Sequence, residues 1–194
     1  MLPSSGATYS CAAANCSSCG WRRDAAVRIY WGVSASTSRR TVQIAHVVIT
    51  STKSFAEVRS TLENQVPWLD DETRGLLRDG VTDRLRQRLK AAPTLSIFEA
   101  RDHGMLLGLY GQVRSAVQYE IGNPLTASSM TRYVLGAGLY APLRVIIYEG
   151  DDGGTRIEYD LPSSLFGQFG DERVTEVGHA LDVALGRALS AAAC

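Results

Sequence analysis

Apolar positions along this chain follow two periods, one close to 2 and one close to 3.6, and their order predicts the elements. Residues 41–50 (TVQIAHVVIT) are β-branched and apolar, which predicts an opening strand. Ser54 and Glu57 then stand at capping-box spacing. Phe55, Val58, Leu62 and Val66 recur on one helical face, and Pro67 ends that helix. Residues 70–92 are helical with a break at Gly80, and Leu77, Val81, Leu85 and Leu89 are spaced by four. Residues 95–101 (LSIFEAR) and 105–110 (MLLGLY) read as strands joined by the turn Asp102-His103-Gly104. Residues 115–121 (SAVQYEI) predict another strand. Asn123 follows as an N-cap, and Pro124 as the first residue of a helix reaching about Leu135. The stretch 143–149 (LRVIIYE) is the most strand-like in the chain. The turn Asp151-Asp152-Gly153-Gly154 joins it to 155–161, where Ile157, Tyr159 and Leu161 point inward and Arg156, Glu158 and Asp160 outward. A last helix spans about 171–191, with Asp171 as N-cap and Val174, Val177, Leu181, Leu185 and Leu189 on one face.

The order is β-α-α-β-β-β-α-β-β-α. Hairpins predominate, so the expected fold class is α+β, with a largely antiparallel sheet in one layer and helices packed on one face. At 194 residues, 45% hydrophobic and 21% charged, the chain can bury one sizeable core but not two large ones. No apolar run reaches the ~18 residues of a membrane helix, so no membrane partner is expected.

Basic and acidic residues number 20 each, and nothing global draws the chain to nucleic acid. The charge is unevenly placed, however. Residues 1–40 hold five arginines against the single acid Asp24, and the remainder is net acidic by the same margin. The expected division is therefore a leader over 1–40, either disordered or targeting, and one domain over 41–194. The expected location is cytoplasmic, or mitochondrial if the Arg- and Ser-rich leader is a transit peptide.

Cys11, Cys16 and Cys19 have the C-x4-C-x2-C spacing of a two-iron cluster loop, and Cys16 and Cys19 the spacing of a redox pair or half a zinc site. Cys194 is the only candidate for a fourth ligand. The triplet lies in a segment without a core, so it reads as incidental, and no metal or cofactor is expected.

Several stretches carry a family resemblance. They are the opening strand with Lys53-Ser54-Phe55-Ala56-Glu57-Val58, then Tyr119-Glu120-Ile121-Gly122-Asn123-Pro124, then Ala141-Pro142 running into 143–149, and Pro162-Ser163-Ser164-Leu165-Phe166. In that order they resemble the domain-of-unknown-function family DUF 302 over roughly 41–192. The resemblance implies a small α+β fold, often dimeric. It implies no established activity, and it transfers no catalytic residue.

Candidate chemistry is sparse. His46, His103 and His179 do not stand at metal-ligand spacing, and no nucleophile elbow, HExxH, Walker or dinucleotide fingerprint occurs. Arg144 lies inside the strongest strand, two residues from Ile146 and four from Tyr148, so these three share a face. If helices cover that face, Arg144 needs an anionic partner such as Glu120, Glu149, Asp160 or a ligand. Tyr119, Asn123 and Arg132 line the same region if the two strands are neighbours. The five residues read either as an ion pair satisfied within the fold or as a site for a small anionic or aromatic ligand. The favoured function is a small-ligand-binding or sensing module without turnover. The alternatives are an enzyme using Glu120, Tyr148 or His103 as acid/base groups, and a structural homodimer. The Phe166 and Phe169 loop is expected either to fold onto the core or to form a dimer contact.

Overall fold

In the computed structural model, residues 35–80 and 82–194 are described. The cysteine triplet, most of the basic leader and Val81 lie outside them. Val42–Cys194 form one compact unit.

Its first strand, β1 (His46–Ser51), starts later than the apolar pattern suggests. The reason is the lack of a partner. Leu161 N–H donates to Ala45 O at 2.8 Å, and beyond that bond the neighbouring strand has already turned into a helix. Helix α1 (Phe55–Gln65) carries the predicted capping box, with Ser54 accepting from Glu57 N–H while the Glu57 carboxylate accepts from Ser54 N–H at 2.9 Å. The helical stretch after it is α2 (Asp71–Asp79) and α3 (Asp83–Ala91), parted at Gly80. Arg88 pairs with Asp70 at 2.7 Å and Glu72 at 2.9 Å, so this part of α3 is a solvated ion-pair face.

Strand β2 (Ser96–Asp102) pairs directly with β3 (Ala116–Gly122). This corrects the expectation of a strand over 105–110. Those residues form the short helix α4 (Gly104–Leu107) and a 3-10 turn, Gly108–Tyr110. The chain doubles back too tightly for a strand there: a Cβ on Gly104 would lie 2.3 Å from Arg114 O. With β2 already paired to β3, the segment has no sheet edge to join.

Asn123 and Pro124 open α5 (Pro124–Thr131) as predicted, with Asn123 Oδ1 accepting from Leu125 N–H at 2.8 Å. The helix is shorter than expected and gives way to a 3-10 helix, Leu135–Tyr140. Strands β4 (Leu143–Glu149) and β5 (Thr155–Asp160) form the predicted hairpin. The pattern did not show α6 (Pro162–Gly167), which precedes α7 (Glu172–Ala193). Phe166 is fully buried, and Phe169 meets Tyr140 edge-on at 6.0 Å, so this loop folds onto the core.

The sheet order is β1-β5-β4-β3-β2, and every pairing is antiparallel. One face is covered by helices. Ile157, Val145, Ile147, Tyr119 and Ile121 lie under Val58 and Leu62 of α1 and Val174, Leu185 and Leu189 of α7, all fully buried. The fold is therefore the α+β arrangement expected. The outer edge of β2 is met by residues 67–69, where Ile97 N–H donates to Pro67 O at 2.9 Å and Leu69 N–H to Ile97 O at 2.8 Å. Among the described residues nothing comparable pairs with the outer edge of β1. No described helix is long and apolar enough to cross a membrane.

Candidate functional site

Alternation along β4 divides the predicted site. Leu143, Val145 and Ile147 face the helices, so Arg144, Ile146 and Tyr148 face the open side of the sheet. Arg144 is exposed, and its side chain has no hydrogen bond or ion pair among the described residues. The condition for a buried anionic partner is thus not met. Glu120, opposite Arg144 in the register, pairs instead with Arg101 at 2.6 Å.

Tyr148 belongs to a polar chain that crosses three strands. Its hydroxyl donates to Glu158, which also meets His46 Nε2 at 3.1 Å, and His46 Nδ1 meets Asp160 Oδ1 at 2.9 Å. The bond to Asp160, and then that to Glu158, holds the imidazolium and raises the His46 pKa above its ordinary value. The Tyr148 bond, against partial burial, lowers that of Glu158. Sequence reasoning missed His46 and Glu158 as partners of Tyr148, because they meet only through the β1–β5–β4 register.

Tyr119 lies on the other face. Val145 opposes it, it is fully buried, and its hydroxyl donates to Glu63 Oε1 at 2.6 Å. Burial, and next the carboxylate, push its pKa well up. Glu63 in turn holds Arg59 Nε at 3.0 Å. That i,i+4 pair on α1 was legible in sequence, although its tie to Tyr119 was not. Arg132 stands apart at the end of α5. Its guanidinium donates to the Tyr133 hydroxyl at 2.6 Å and stacks on that ring with Arg173. The five residues therefore occupy four places, and only Arg144 and Tyr148 share one. For the acid/base alternative, Glu120 and Tyr148 share the open face. His103 sits at the hairpin end, and no hydrogen bond joins any two of the three.

Asn123 is the candidate that borders a cavity. Its amide donates to Pro93 O at 2.8 Å, and its carbonyl caps α5, which fixes the chain where β3 becomes helix. Across from it, Ala141 and Pro142, joined by a cis peptide bond, lead into β4. Between these segments lies a cavity of about 150 Å³, walled by Phe98, Ile121, Met130, Leu143, Phe166 and Leu181 and rimmed by residues 122–124, 126–127 and 141–142. Its lining carries no charged side chain. A second cleft, of about 470 Å³ and mixed polarity, lies at the opposite end of β3 between the start of α1 and the β2–β3 connection.

The sequence model of the family described as "Domain of unknown function DUF302" matches residues 77–192. The chain belongs to the DUF302 family. The whole lining of the apolar cavity falls within the matched residues, whereas Phe55 and Arg59 of the mixed cleft precede them. The crystal structure of an uncharacterized conserved DUF302 protein from Bacillus stearothermophilus is similar, with a TM-score of 0.55 and 19% sequence identity. The similarity covers 76% of this chain and 97% of that one, and it supports the DUF302 fold alone. The search of curated proteins gives no match.

Proposed function

We propose that residues 41–194 form a small-ligand-binding domain, and that its ligand presents one aromatic ring, or an alkyl group of that size, to the apolar cavity beside Asn123. The observation behind this reading is the cavity itself. Its volume of about 150 Å³ and uncharged walls match what one ring fills. An engineered apolar cavity of about this volume stays dry and takes up benzene. Asn123 frames the entrance while its own polar atoms are satisfied by Pro93 O and the α5 amides, so the ligand need not replace a lost hydrogen bond. Titration with toluene, followed by two-dimensional NMR, tests this. Saturable shifts are expected at the amides of 121–130 and 141–143. They should vanish in Ala127→Leu, which fills the cavity. Absence of saturable shifts, or their survival in the filled variant, would reject the site.

The open edge of β1 favours a second reading, a homodimer. Alternate residues of an edge strand turn N–H and C=O outward, and natural edges are usually blunted by charge, proline or a bulge. The sequence His46–Ser51 contains no Lys, Arg, Asp, Glu or Pro, and its register with β5 is regular. Pairing of two copies of β1 would satisfy those groups about a twofold axis. Sedimentation near 100 µM (on the order of the concentrations at which exposed edges associate) should show a dimer, and Val48→Lys should give a monomer. A monomeric parent would dispose of this reading.

A further inference from the structure

We infer that the mixed cleft between α1 and the β2–β3 connection is a second binding site, for a small molecule bearing one carboxylate on a short apolar body. It is independent of the aromatic cavity, which lies at the other end of β3. The cleft volume of about 470 Å³ falls in the range of small-molecule sites, ~300–1,000 Å³.

Its polar wall offers more donors than the fold uses. Arg59 is held in place by Glu63, which the buried Tyr119 hydroxyl holds in turn at 2.6 Å, so one guanidinium is positioned before any ligand arrives. Arg114, the other, spends Nη2 on Glu149 O at 2.9 Å and Asp151 Oδ1 at 2.7 Å. Its Nε and Nη1 have no partner among the described residues, and neither do the side chains of Gln112 and Ser115. The Asp151 side chain is 93% exposed, and a pair so solvated is readily exchanged for a ligand carboxylate.

The charge balance sets the ligand's valence. Two guanidinium groups and one carboxylate, Asp102, line the cleft, and Asp102 Oδ1 already accepts from Met105 N–H at 2.9 Å. Glu63 already balances Arg59, so a ligand that displaces the solvated Asp151 from Arg114 has one positive charge to match, which suits a carboxylate better than a dianion. The apolar wall comes from Phe55 on one side and from the β2–β3 connection on the other. Met105 of that connection is 72% exposed and Val113 is 99% exposed. Exposed apolar side chains beside a guanidinium pair give the ligand's body something to cover.

Calorimetric titration of the full chain with hexanoate, hexanol and inorganic phosphate, with NMR mapping, tests the assignment. Hexanoate is expected to saturate and to shift amides within 102–117. Hexanol should bind at least about tenfold more weakly, and Arg114→Gln should weaken hexanoate by about tenfold, with Arg114→Lys recovering part of the loss. Arg114 is exposed, so these variants keep the fold, and circular dichroism checks it. Ala127→Leu, which fills the other cavity, should leave hexanoate binding unchanged. Equal binding of hexanol and hexanoate, tighter binding of phosphate than of hexanoate, shifts confined to other parts of the chain, or indifference to Arg114→Gln would each overturn the inference.

Discussion

The two faces of the sheet are built from the same strands and held by different forces. On β4, Val145 and Ile147 are fully buried under helices, while Arg144 and Tyr148 on the alternate positions look outward. The covered face is fixed by shape: each side chain is confined by neighbours on all sides. The open face is fixed by charge. His46 with Asp160 and Glu158, Arg101 with Glu120, and Arg156 with Asp152 form a lattice of polar pairs across and along its strands. A change of volume should therefore be costly on the first face, and a change of pH should act on the second.

The sharpest way to break this comparison is a pair of neighbours on one strand. Ile147→Ala should cost about 2–5 kcal/mol in urea unfolding, and Ile146→Ala no more than about 1 kcal/mol. Equal losses would refute the division of faces. A smaller effect, confined to the helical layer, concerns close approach. A Cβ on Gly178 of α7 would lie 2.9 Å from Ser163 Cα, whereas one on Gly186 meets nothing closer than Tyr159 Oη at 3.7 Å. Gly178→Ala should thus destabilise by about 1–3 kcal/mol, despite the better helix propensity of alanine. Gly186→Ala should stabilise by up to about 1 kcal/mol. The tyrosines give a third contrast. Tyr119→Phe removes a buried donor from Glu63 and should cost about 1–2 kcal/mol, and Tyr148→Phe should cost less than about half as much.

The smallest effect belongs to pH. The folded-state pKa of His46 is raised, so its contribution to stability is complete below the ordinary value of 6.5 and is lost as pH rises through the folded value. His46→Gln should flatten that decline in pH-dependent unfolding, and an unchanged slope would show that the imidazole pairs contribute nothing. The effect is small because the His46 side chain is half exposed.

Local chemistry was legible in the sequence, and tertiary choices were not. The Ser54–Glu57 box, the Asn123-Pro124 start and the β4–β5 hairpin each depend on residues a few positions apart, and all three form as read. Residues 105–110 carry enough apolar character for a strand, yet no strand edge was available to them. Helix α6 rests on close contact with α7, where Gly178 admits Ser163, and no period within six residues announces it. The candidate site divided for a related reason. Alternation correctly put Arg144 with Tyr148, but the register that sets Tyr119 opposite Val145 decided that Tyr119 faces the helices. The two cavities were invisible in sequence because each is bounded by segments far apart in the chain.

The strand order also constrains when the molecule can be completed during synthesis. Among the described strands β1 is made first, yet its sheet partner β5 is made last; His46 meets Asp160 across 114 positions. At translation rates of roughly 5–20 residues per second, β1 waits on the order of ten seconds for that partner. The hairpins β2–β3 and β4–β5 close locally in the meantime. Through that interval a strand without Lys, Arg, Asp, Glu or Pro emerges from the ribosome with both edges bare, and a chaperone that shields extended apolar segments would find its target there rather than in the later hairpins.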